Sequence, residues 1–411
     1  MHFKTTSLLF CLLVVFAVLI AMNNNPSRRR EAATKPSLSS SSSDVEPLFA
    51  FVSLASSDGG GDELSEDTLA STADVTTSQN LEYDFYRDTC PRAEKIVRTK
   101  MAWIYGQHRN VSAQLLRLFF HDCFIEGCDA SVLLDDSNGN QNHAIEKQAI
   151  PNKSLKGFDK IDQIKESLEN ECAGVVSCAD ILALATRDAI VLAGGPFYPI
   201  LTGRRDSTRS FFDKAMNPMM GMPRPDDNIN QTLQKFSLRG FDEKETVALL
   251  GGHNIGKIGC EFIRSRINNF KGTGQPDPTL TPEFVSEMRL NCDDDFNQET
   301  STEAATRRLS EKFTSKGMSY YQQLSSSVSA GAGFDSHYYQ SLLRGRGLLF
   351  ADQQLMANKR TARLVAKYAS DDGSAFRTDF ARAMMKMSDL NVLNGSQGQV
   401  RFDCSLPTQS S

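Results

Sequence analysis

The sequence predicts an all-α protein built mainly from one large domain. Three observations support this: apolar residues recur at helical spacing through most of the chain from Tyr83 onward, alternating strand-like patterns are scarce, and no internal repeat of solenoid length occurs. Hydrophobic residues make up 40% of the 411 residues and charged residues 23%. This composition suffices for a sizeable core and excludes wholesale disorder.

The first element is an N-terminal apolar stretch, and we interpret residues 1–22 as a signal peptide. The stretch at 8–22 is shorter than the about 20 residues of a membrane-spanning helix and has the length of a signal-peptide core, with Lys4 before it. Arginines at 28–30 resist translocation. An uncleaved membrane anchor is therefore the alternative. We expect the protein to associate with a membrane only if this segment is not cleaved.

The next segment, residues 23–78, differs in composition from the rest of the chain. It is rich in serine, threonine, glycine and acidic residues, and its longest apolar patch is 48–52. Such a segment buries too little apolar surface to offset the entropy lost on ordering. We predict a flexible, low-complexity spacer; a small folded module around the patch is the alternative.

The remainder of the chain is predicted to be helical. Apolar residues recur at helical spacing in the segments 93–107, 112–124, 158–168, 178–192, 233–236, 243–250, 262–270, 361–368 and 375–387. Ser112 is a good start signal for the second of these helices. Glycine and proline separate neighbouring segments, as at 193–196 and 217–218.

Charge and cysteine content restrict the class of protein. The net charge of −5 offers no basic excess for phosphates, so we expect no nucleic-acid partner. One of nine cysteines, Cys11, lies in the apolar stretch, and the other eight form an even set, typical of an oxidised, extracytoplasmic disulfide framework. Unpaired core thiols or a metal cluster are weaker alternatives, because no Cys-x-x-Cys occurs. Sequence alone leaves roughly 105 pairings open.

The strongest chemical motif lies in the predicted helix 112–124. Arg117 and His121 are four residues apart and project from one helix face, with Phe120 beside them. A fixed cation next to an imidazole lowers the imidazole pKa, and a neutral base beside a positive charge suits proton transfer next to a bond that must be polarised. Taken alone, a surface arginine and a hydrogen-bonded core histidine remain the simpler interpretation.

Two further segments point to a cofactor and a metal. His253 follows Gly251 and Gly252, which allow the close backbone approach that a flat cofactor needs, and imidazole is a common axial ligand of iron. A helix end followed by an incidental histidine is the alternative. The loop 122–131 combines carboxylates, a hydroxyl and bent backbone, which could ligate Ca²⁺ or form an ordinary acidic loop.

Taken together, these residues make the chain from 79 to 404 similar to the secreted plant (class III) haem peroxidases. The motifs that carry the resemblance are RLFFHDCF at 117–124, GCDAS at 127–131, VSCADI at 176–181, GRRDS at 203–207 and GGH at 251–253. Their occurrence in this order is highly specific. The resemblance implies the plant haem peroxidase fold, in which two helical lobes enclose haem b, followed here by a short tail at 405–411.

The resemblance also implies roles for individual residues. The catalytic residues would be His121, which moves the proton of peroxide, Arg117, which stabilises the developing negative charge, and Asn152, which orients His121. Bound haem would be held by His253 as proximal iron ligand, by Asp352 on the far side of that histidine, and by Phe120, which covers the iron. Pro223 and Phe262 fall where the family contacts aromatic donors.

The implied calcium sites differ in completeness. The distal set is intact: Asp122, Asp129 and Ser131 through their side chains, Ile125 and Gly127 through their carbonyls, and Glu146 further out. At the proximal site Asn254 replaces the family's threonine, the family's Asp-x-x-Thr run falls at 327–330 with neither residue, and only Asp335 is retained. Because losing carboxylates weakens a hard-cation site, we expect one Ca²⁺ at the distal site and a degenerate second site.

The resemblance pairs the eight cysteines and adds a buried ion pair between Asp180 and Arg204. The implied disulfides are Cys90–Cys172, Cys123–Cys128, Cys178–Cys404 and Cys260–Cys292. Glycosylation sequons occur at Asn110, Asn152, Asn230 and Asn394. Asn152 is excluded as a glycan site if it serves the haem pocket.

The sequence therefore predicts a haem peroxidase that reduces hydrogen peroxide to water and oxidises small phenolic donors by single electrons. Lignin precursors, suberin phenolics and auxin are compatible donors, and an oxidative stress response is a compatible context. We expect a monomer secreted to the apoplast or cell wall; the vacuole is less favoured, since no apolar tail follows Cys404. The alternative is a weakly active or non-catalytic secreted haem-binding wall protein. A hydrolase is disfavoured because no nucleophile motif occurs.

Overall fold

A computed structural model describes residues 81–136, 144–219, 221–292, 317–318 and 334–408. The predicted signal peptide and spacer lie outside the described residues, as does the 327–330 run.

The described chain is mainly helical, as predicted. Its α-helices are α1 (Ala93–Gln107), α2 (Val111–Ile125), α3 (Phe158–Glu169), α4 (Cys178–Leu192), α5 (Phe212–Met216), α6 (Ile229–Ser237), α7 (Glu243–Leu250), α8 (Arg264–Asn268), α9 (Pro282–Cys292), α10 (His337–Leu343), α11 (Phe350–Gln353), α12 (Lys359–Ala369) and α13 (Ser374–Ser388). Short 3₁₀ turns include Glu146–Gln148, Ile150–Asn152, Gly251–Asn254 and Cys260–Phe262. The strands β1 (Ile258–Gly259) and β2 (Gly317–Met318) pair antiparallel. Within the described ranges, no helix has the length and apolar character needed to cross a membrane.

The predicted helix at 262–270 is shorter than its apolar spacing suggested. The segment 262–270 is divided into the 3₁₀ turn Cys260–Phe262, helix α8 and the 3₁₀ turn Phe270–Gly272. Asn269 has φ −149° and ψ 62°, which ends α8, and Lys271 has a positive φ of 50°. Backbone dihedrals of this kind cannot continue the pattern of helical hydrogen bonds.

Helix α4 forms the centre of one group of helices. Every residue from Cys178 to Ile190 is buried, and α4 contacts α1, α2 and α3. The hydroxyl of Ser177 caps its first turn by accepting from the Asp180 N–H at 3.2 Å. A second group comprises α7, α10, α12 and α13. Helix α13 of the second group contacts α2 of the first, so α2 lies where the two groups meet.

Disulfides and one ion pair fasten this arrangement. The structure contains the four pairs that the resemblance implied: Cys90–Cys172, Cys123–Cys128, Cys178–Cys404 and Cys260–Cys292. Asp180 and Arg204 are fully buried, with 2.7 Å between their charged groups. Because Cys178 is the first residue of α4, its disulfide ties the C-terminal segment to the central helix.

Candidate active site

Helix α2 carries the distal half of the site. His121 and Asn152 are buried, and Nδ1 of His121 lies 2.6 Å from Oδ1 of Asn152. Nδ2 of Asn152 donates to the Glu146 carbonyl at 2.8 Å, which fixes the orientation of the amide. Because the amide oxygen can only accept, Nδ1 of His121 carries the hydrogen and Nε2 is the basic nitrogen. Glu146 thus acts here through its backbone.

The electrostatic environment keeps His121 neutral. Burial and, after it, the charge of Arg117 lower the pKa of His121, the Asn152 hydrogen bond raises it, and the net pKa is about 3. Arg117 itself has its pKa lowered by burial, and its guanidinium donates to the Pro151 carbonyl at 2.9 Å and to the Ser154 hydroxyl at 3.1 Å. A neutral base therefore stands beside a fixed cation, as the sequence predicts.

The proximal half of the site is the 3₁₀ turn that follows α7. Nδ1 of His253 lies 2.8 Å from Oδ1 of Asp352, which is fully buried, whereas 39% of the His253 side chain remains exposed. Burial alone would lower the pKa of His253, but the charge of Asp352 and its hydrogen bond outweigh burial and raise it. With Nδ1 committed to the carboxylate, Nε2 is the nitrogen left to bind a metal.

The residues around His253 fit a bound haem. A Cβ on Gly251 would lie 2.3 Å from the Tyr339 hydroxyl, and one on Gly252 would lie 3.2 Å from Leu116 of α2, so the turn packs closely because it lacks these side chains. Nε2 of His253 makes no hydrogen bond to the residues that the structure describes. An imidazole whose other nitrogen is held by a buried carboxylate is the usual axial ligand set of haem iron.

The distal loop fits a divalent cation. Asp122 accepts the N–H groups of Ala130 (2.9 Å) and Val132 (3.3 Å), and Asp129 accepts that of Ser131 at 3.0 Å. In the described chain, two buried oxygens nearby, Ser131 Oγ and Glu146 Oε2, have no hydrogen-bond partner.

Three acidic side chains in this loop region would be stabilised by a cation. Burial raises the pKa of Asp122 well above its usual value, and the charges of Asp129 and Glu146 raise it further. Burial likewise raises the pKa of Asp129 to about 6 and that of Glu146 to about 8. No metal-ligating group of three or more His, Cys, Asp or Glu side chains occurs among the described residues. The expected set needs only two carboxylates, since Ser131 and backbone carbonyls complete it.

The proximal calcium residues do not fit a complete site. The Asn254 amide donates to the Asp335 carbonyl at 2.6 Å. One carboxylate oxygen of Asp335 accepts from the main-chain N–H of His337 at 2.8 Å and also bonds the ring Nδ1 of His337. The Asp335 carboxylate is therefore engaged by protein groups, whereas Oδ1 of Asn254 has no hydrogen-bond partner among the described residues.

Comparison with known proteins decides the family. Residues 97–371 match the family model described as peroxidase. The chain belongs to the peroxidase family. In Arabidopsis thaliana, the relative named "Putative Peroxidase 48" is 46% identical over 340 residues, 79% of this chain and 82% of the relative. Peroxidase 57 is 38% identical (79% of this chain, 91% of the relative), and Peroxidase 56 is 38% identical (82% and 93%). The chain is thus a plant haem peroxidase, an enzyme of a family that uses haem and calcium.

The remaining predicted residues of this peroxidase are partly or largely exposed. Phe120 is half-buried and packs against Phe124 and Phe236, with ring centroids 4.7 and 6.0 Å apart. Pro223 is half-buried before α6, and Phe262 is 38% exposed.

The four sequons differ in exposure. Asn152 is 2% exposed and uses both side-chain ends in hydrogen bonds, which leaves no room for a glycan. Asn110 and Asn230 are exposed, and Asn394 is half-buried.

The sequence reasoning missed Tyr338, whose hydroxyl donates to Asp352 at 3.0 Å. In the sequence, the two tyrosines at 338–339, three and four residues after Asp335, could have indicated a hydroxyl near the proximal residues.

Proposed function

We propose that this peroxidase reduces hydrogen peroxide with His121 and Arg117, and oxidises small phenolic donors one electron at a time. The observation that carries the proposal is the pair of oriented histidines, His121 held by Asn152 and His253 held by Asp352. Haem held by His253 would supply the redox chemistry, the two-electron reduction of peroxide and the one-electron oxidation of each donor.

The distal residues have separate roles: His121 transfers the proton and Arg117 stabilises the developing charge. Nε2 of His121 accepts the proton of the peroxide and returns it to the departing oxygen, because the pKa of His121 is low enough to leave this nitrogen free. Arg117 stabilises the negative charge that develops as the O–O bond breaks. Asn152, anchored on the Glu146 carbonyl, prevents the imidazole from rotating away.

On the proximal side, Asp352 draws on the N–H of His253, which makes the imidazole a stronger electron donor toward the iron. Phe120, next to His121, would cover the iron of a bound haem and so confine donors to the haem edge. There the exposed ring of Phe262 offers a surface for aromatic rings, and the Pro223 carbonyl can accept a hydrogen bond from a phenol hydroxyl. Lignin precursors, suberin phenolics and auxin fit this chemistry, and an oxidative stress response is a fitting context.

The rest of the proposal concerns organisation and location. Residues 1–22 are a signal peptide, 23–78 a spacer, 79–404 the catalytic domain and 405–411 a tail. Four disulfides favour secretion to the apoplast or cell wall. The enzyme acts as a monomer and binds one Ca²⁺, at the distal site. N-terminal sequencing of the mature protein tests the processing.

His121→Ala tests the proposed mechanism, with His108→Ala as the matched control because His108 is exposed at the end of α1. His121→Ala should keep its Soret band yet lose rapid peroxide reduction, whereas His108→Ala should behave as wild type. Unchanged turnover in His121→Ala would refute the role of His121.

A second candidate, a weakly active haem-binding wall protein, is favoured by one observation: Asp335, the one retained proximal calcium residue, has its carboxylate bonded to His337. A Soret spectrum followed by a peroxide-dependent guaiacol assay of wild type separates the two, since this candidate predicts the band without turnover.

A further inference from the structure

One carboxylate oxygen on the proximal side accepts two hydrogen bonds. Oδ1 of Asp352 receives the His253 Nδ1–H at 2.8 Å and the Tyr338 hydroxyl at 3.0 Å. The other oxygen, Oδ2, accepts the Leu349 N–H at 3.3 Å. Because Asp352 and Tyr338 are both fully buried, water does not compete for these bonds.

The position of Tyr338 is fixed by its neighbours. Its ring stands edge-on to His253, with centroids 6.3 Å apart and planes at 77°, and edge-on to Tyr339 at 4.9 Å and 80°. The Tyr339 hydroxyl donates to the Val247 carbonyl at 3.0 Å, which fastens α10 to the helix that precedes His253. The Tyr338 hydroxyl is thereby held at Asp352.

The segment just before α10 is also hydrogen-bonded to the residue that follows His253. Asn254, the next residue in the chain, donates its amide to the Asp335 carbonyl at 2.6 Å. Asp335 in turn bonds His337, the first residue of α10. Helix α10 is therefore connected both to Asp352 and to the turn that carries His253.

The His253 N–H and the Tyr338 hydroxyl both hydrogen-bond to Oδ1 of Asp352, so each weakens the bond of the other. A carboxylate that draws on the N–H of a ligating imidazole makes that imidazole more electron-donating toward the metal. A second donor withdraws density from the same oxygen and weakens this pull. We propose that Tyr338 is a positioning residue that, by sharing Oδ1 of Asp352, limits the electron donation of His253 and sets the reduction potential of the haem. The inference rests on the proposed role of His253 as iron ligand.

Tyr338→Phe in the haem-loaded enzyme tests the proposal, with Tyr368→Phe as the matched control. Each variant removes one buried tyrosine hydroxyl that donates to an aspartate, but the Tyr368 hydroxyl donates to Asp379 at 2.9 Å and not to Asp352. In Tyr338→Phe we expect a more negative Fe(III)/Fe(II) midpoint potential and a higher iron–histidine stretching frequency in the ferrous resonance Raman spectrum. Tyr368→Phe should leave both values at wild type. No shift in Tyr338→Phe, or an equal shift in the two variants, would overturn the proposal.

A double-mutant cycle shows whether the effect passes through Asp352. Asp352→Asn replaces the charged acceptor, so Tyr338→Phe should shift the potential less in that background than in wild type. Equal shifts in both backgrounds contradict the proposal. The absence of an iron–histidine band in wild type would instead refute His253 as the ligand, and with it the proposed function. A band that is present but does not move in Tyr338→Phe overturns only the role of Tyr338.

Discussion

Nδ1 of His121 lies 2.6 Å from Oδ1 of Asn152, and this bond determines which nitrogen of the histidine accepts a proton. The asparagine cannot reverse its amide without placing an oxygen against the Glu146 carbonyl, to which Nδ2 now donates at 2.8 Å. The Glu146 carbonyl therefore sets the tautomer of His121 indirectly, by orienting the Asn152 amide.

Asn152→Val should slow the reaction with peroxide because it removes the acceptor for Nδ1 of His121 while keeping a side chain of similar size. We expect the bimolecular rate constant to fall about 10–100-fold, as is common when a supporting hydrogen bond is lost. Stopped-flow measurement of the Soret change gives this constant directly. Asn110→Ala is the control, since Asn110 is exposed and makes no side-chain cap. A wild-type rate in Asn152→Val contradicts the orienting role.

The pH dependence follows from the lowered pKa of His121. Burial and the charge of Arg117 bring that pKa to about 3, so the base stays unprotonated far below the ordinary histidine value of about 6.5. Between those values the unfolded chain binds a proton at His121 and the native chain does not, so acidification through this window favours unfolding. While the protein remains folded, the rate of peroxide reaction should be flat from pH 7 to 5.

Arg117→Leu provides a test of the cause of this pKa. Removing the neighbouring cation should raise the pKa of His121, so loss of rate on acidification should begin at a higher pH than in wild type. Stopped-flow rates measured from pH 7 down to the pH at which the protein unfolds give both curves. A wild-type midpoint near 6.5, or an unchanged midpoint in Arg117→Leu, would show that the described environment does not govern His121.

The sequence could predict those parts of the site whose residues are close together in the chain, but not contacts between distant residues. Arg117 and His121 share a helix face through local spacing alone, and α4 and α7 have the predicted bounds because local caps at Ser177 and Asp242 mark their starts. The contact between His253 and Asp352 joins positions 99 residues apart. Periodicity carries no information about such a contact, and only the family resemblance suggested it.

The elements that the sequence reasoning missed depend on tertiary packing. Helices α5 and α11 have five and four residues, too short to be stable or detectable from apolar spacing. Tyr338 was missed for the same reason: an aromatic residue in a short helix predicts core packing, and its hydroxyl contact with Asp352 emerges only when α10 packs beside the His253 turn.

Calcium content tests the difference between the two implied metal sites. We expect elemental analysis of purified enzyme to give one Ca²⁺ per haem, because the proximal site lacks the family's Asp-x-x-Thr residues and its Asp335 carboxylate is bonded to His337, while the distal loop keeps its full set of ligand residues. Two calcium ions per haem would contradict this prediction.

Gly127→Ala should reduce calcium binding at the distal loop. Gly127 has φ +150°, and a Cβ there would lie 2.4 Å from the Asn391 carbonyl oxygen and 2.8 Å from that of Leu390. Backbone atoms cannot move aside cheaply, so the loop must shift. Gly194→Ala is the control, with φ +84° and no atom within 4 Å, so it carries only the cost of about 1–2 kcal/mol for a left-handed residue. Calcium retention equal to that of Gly194→Ala would contradict the prediction.

Asp180→Ala should destabilise the fold more than any surface ion-pair variant. Asp180 accepts from Arg204, from the Tyr86 hydroxyl and from the Gly203 N–H, all at 2.7 Å and all buried. Its removal leaves the buried Arg204 guanidinium with only a 3.5 Å contact to the partly exposed Asp389 as countercharge, which costs roughly 3–5 kcal/mol in the free energy of unfolding. Asp159→Ala breaks a 2.9 Å pair with Lys160 in which Asp159 is 68% exposed, and should cost about 1 kcal/mol or less. Urea unfolding with intact disulfides measures both, and equal losses would show that the Asp180–Arg204 pair contributes no more than a solvated one.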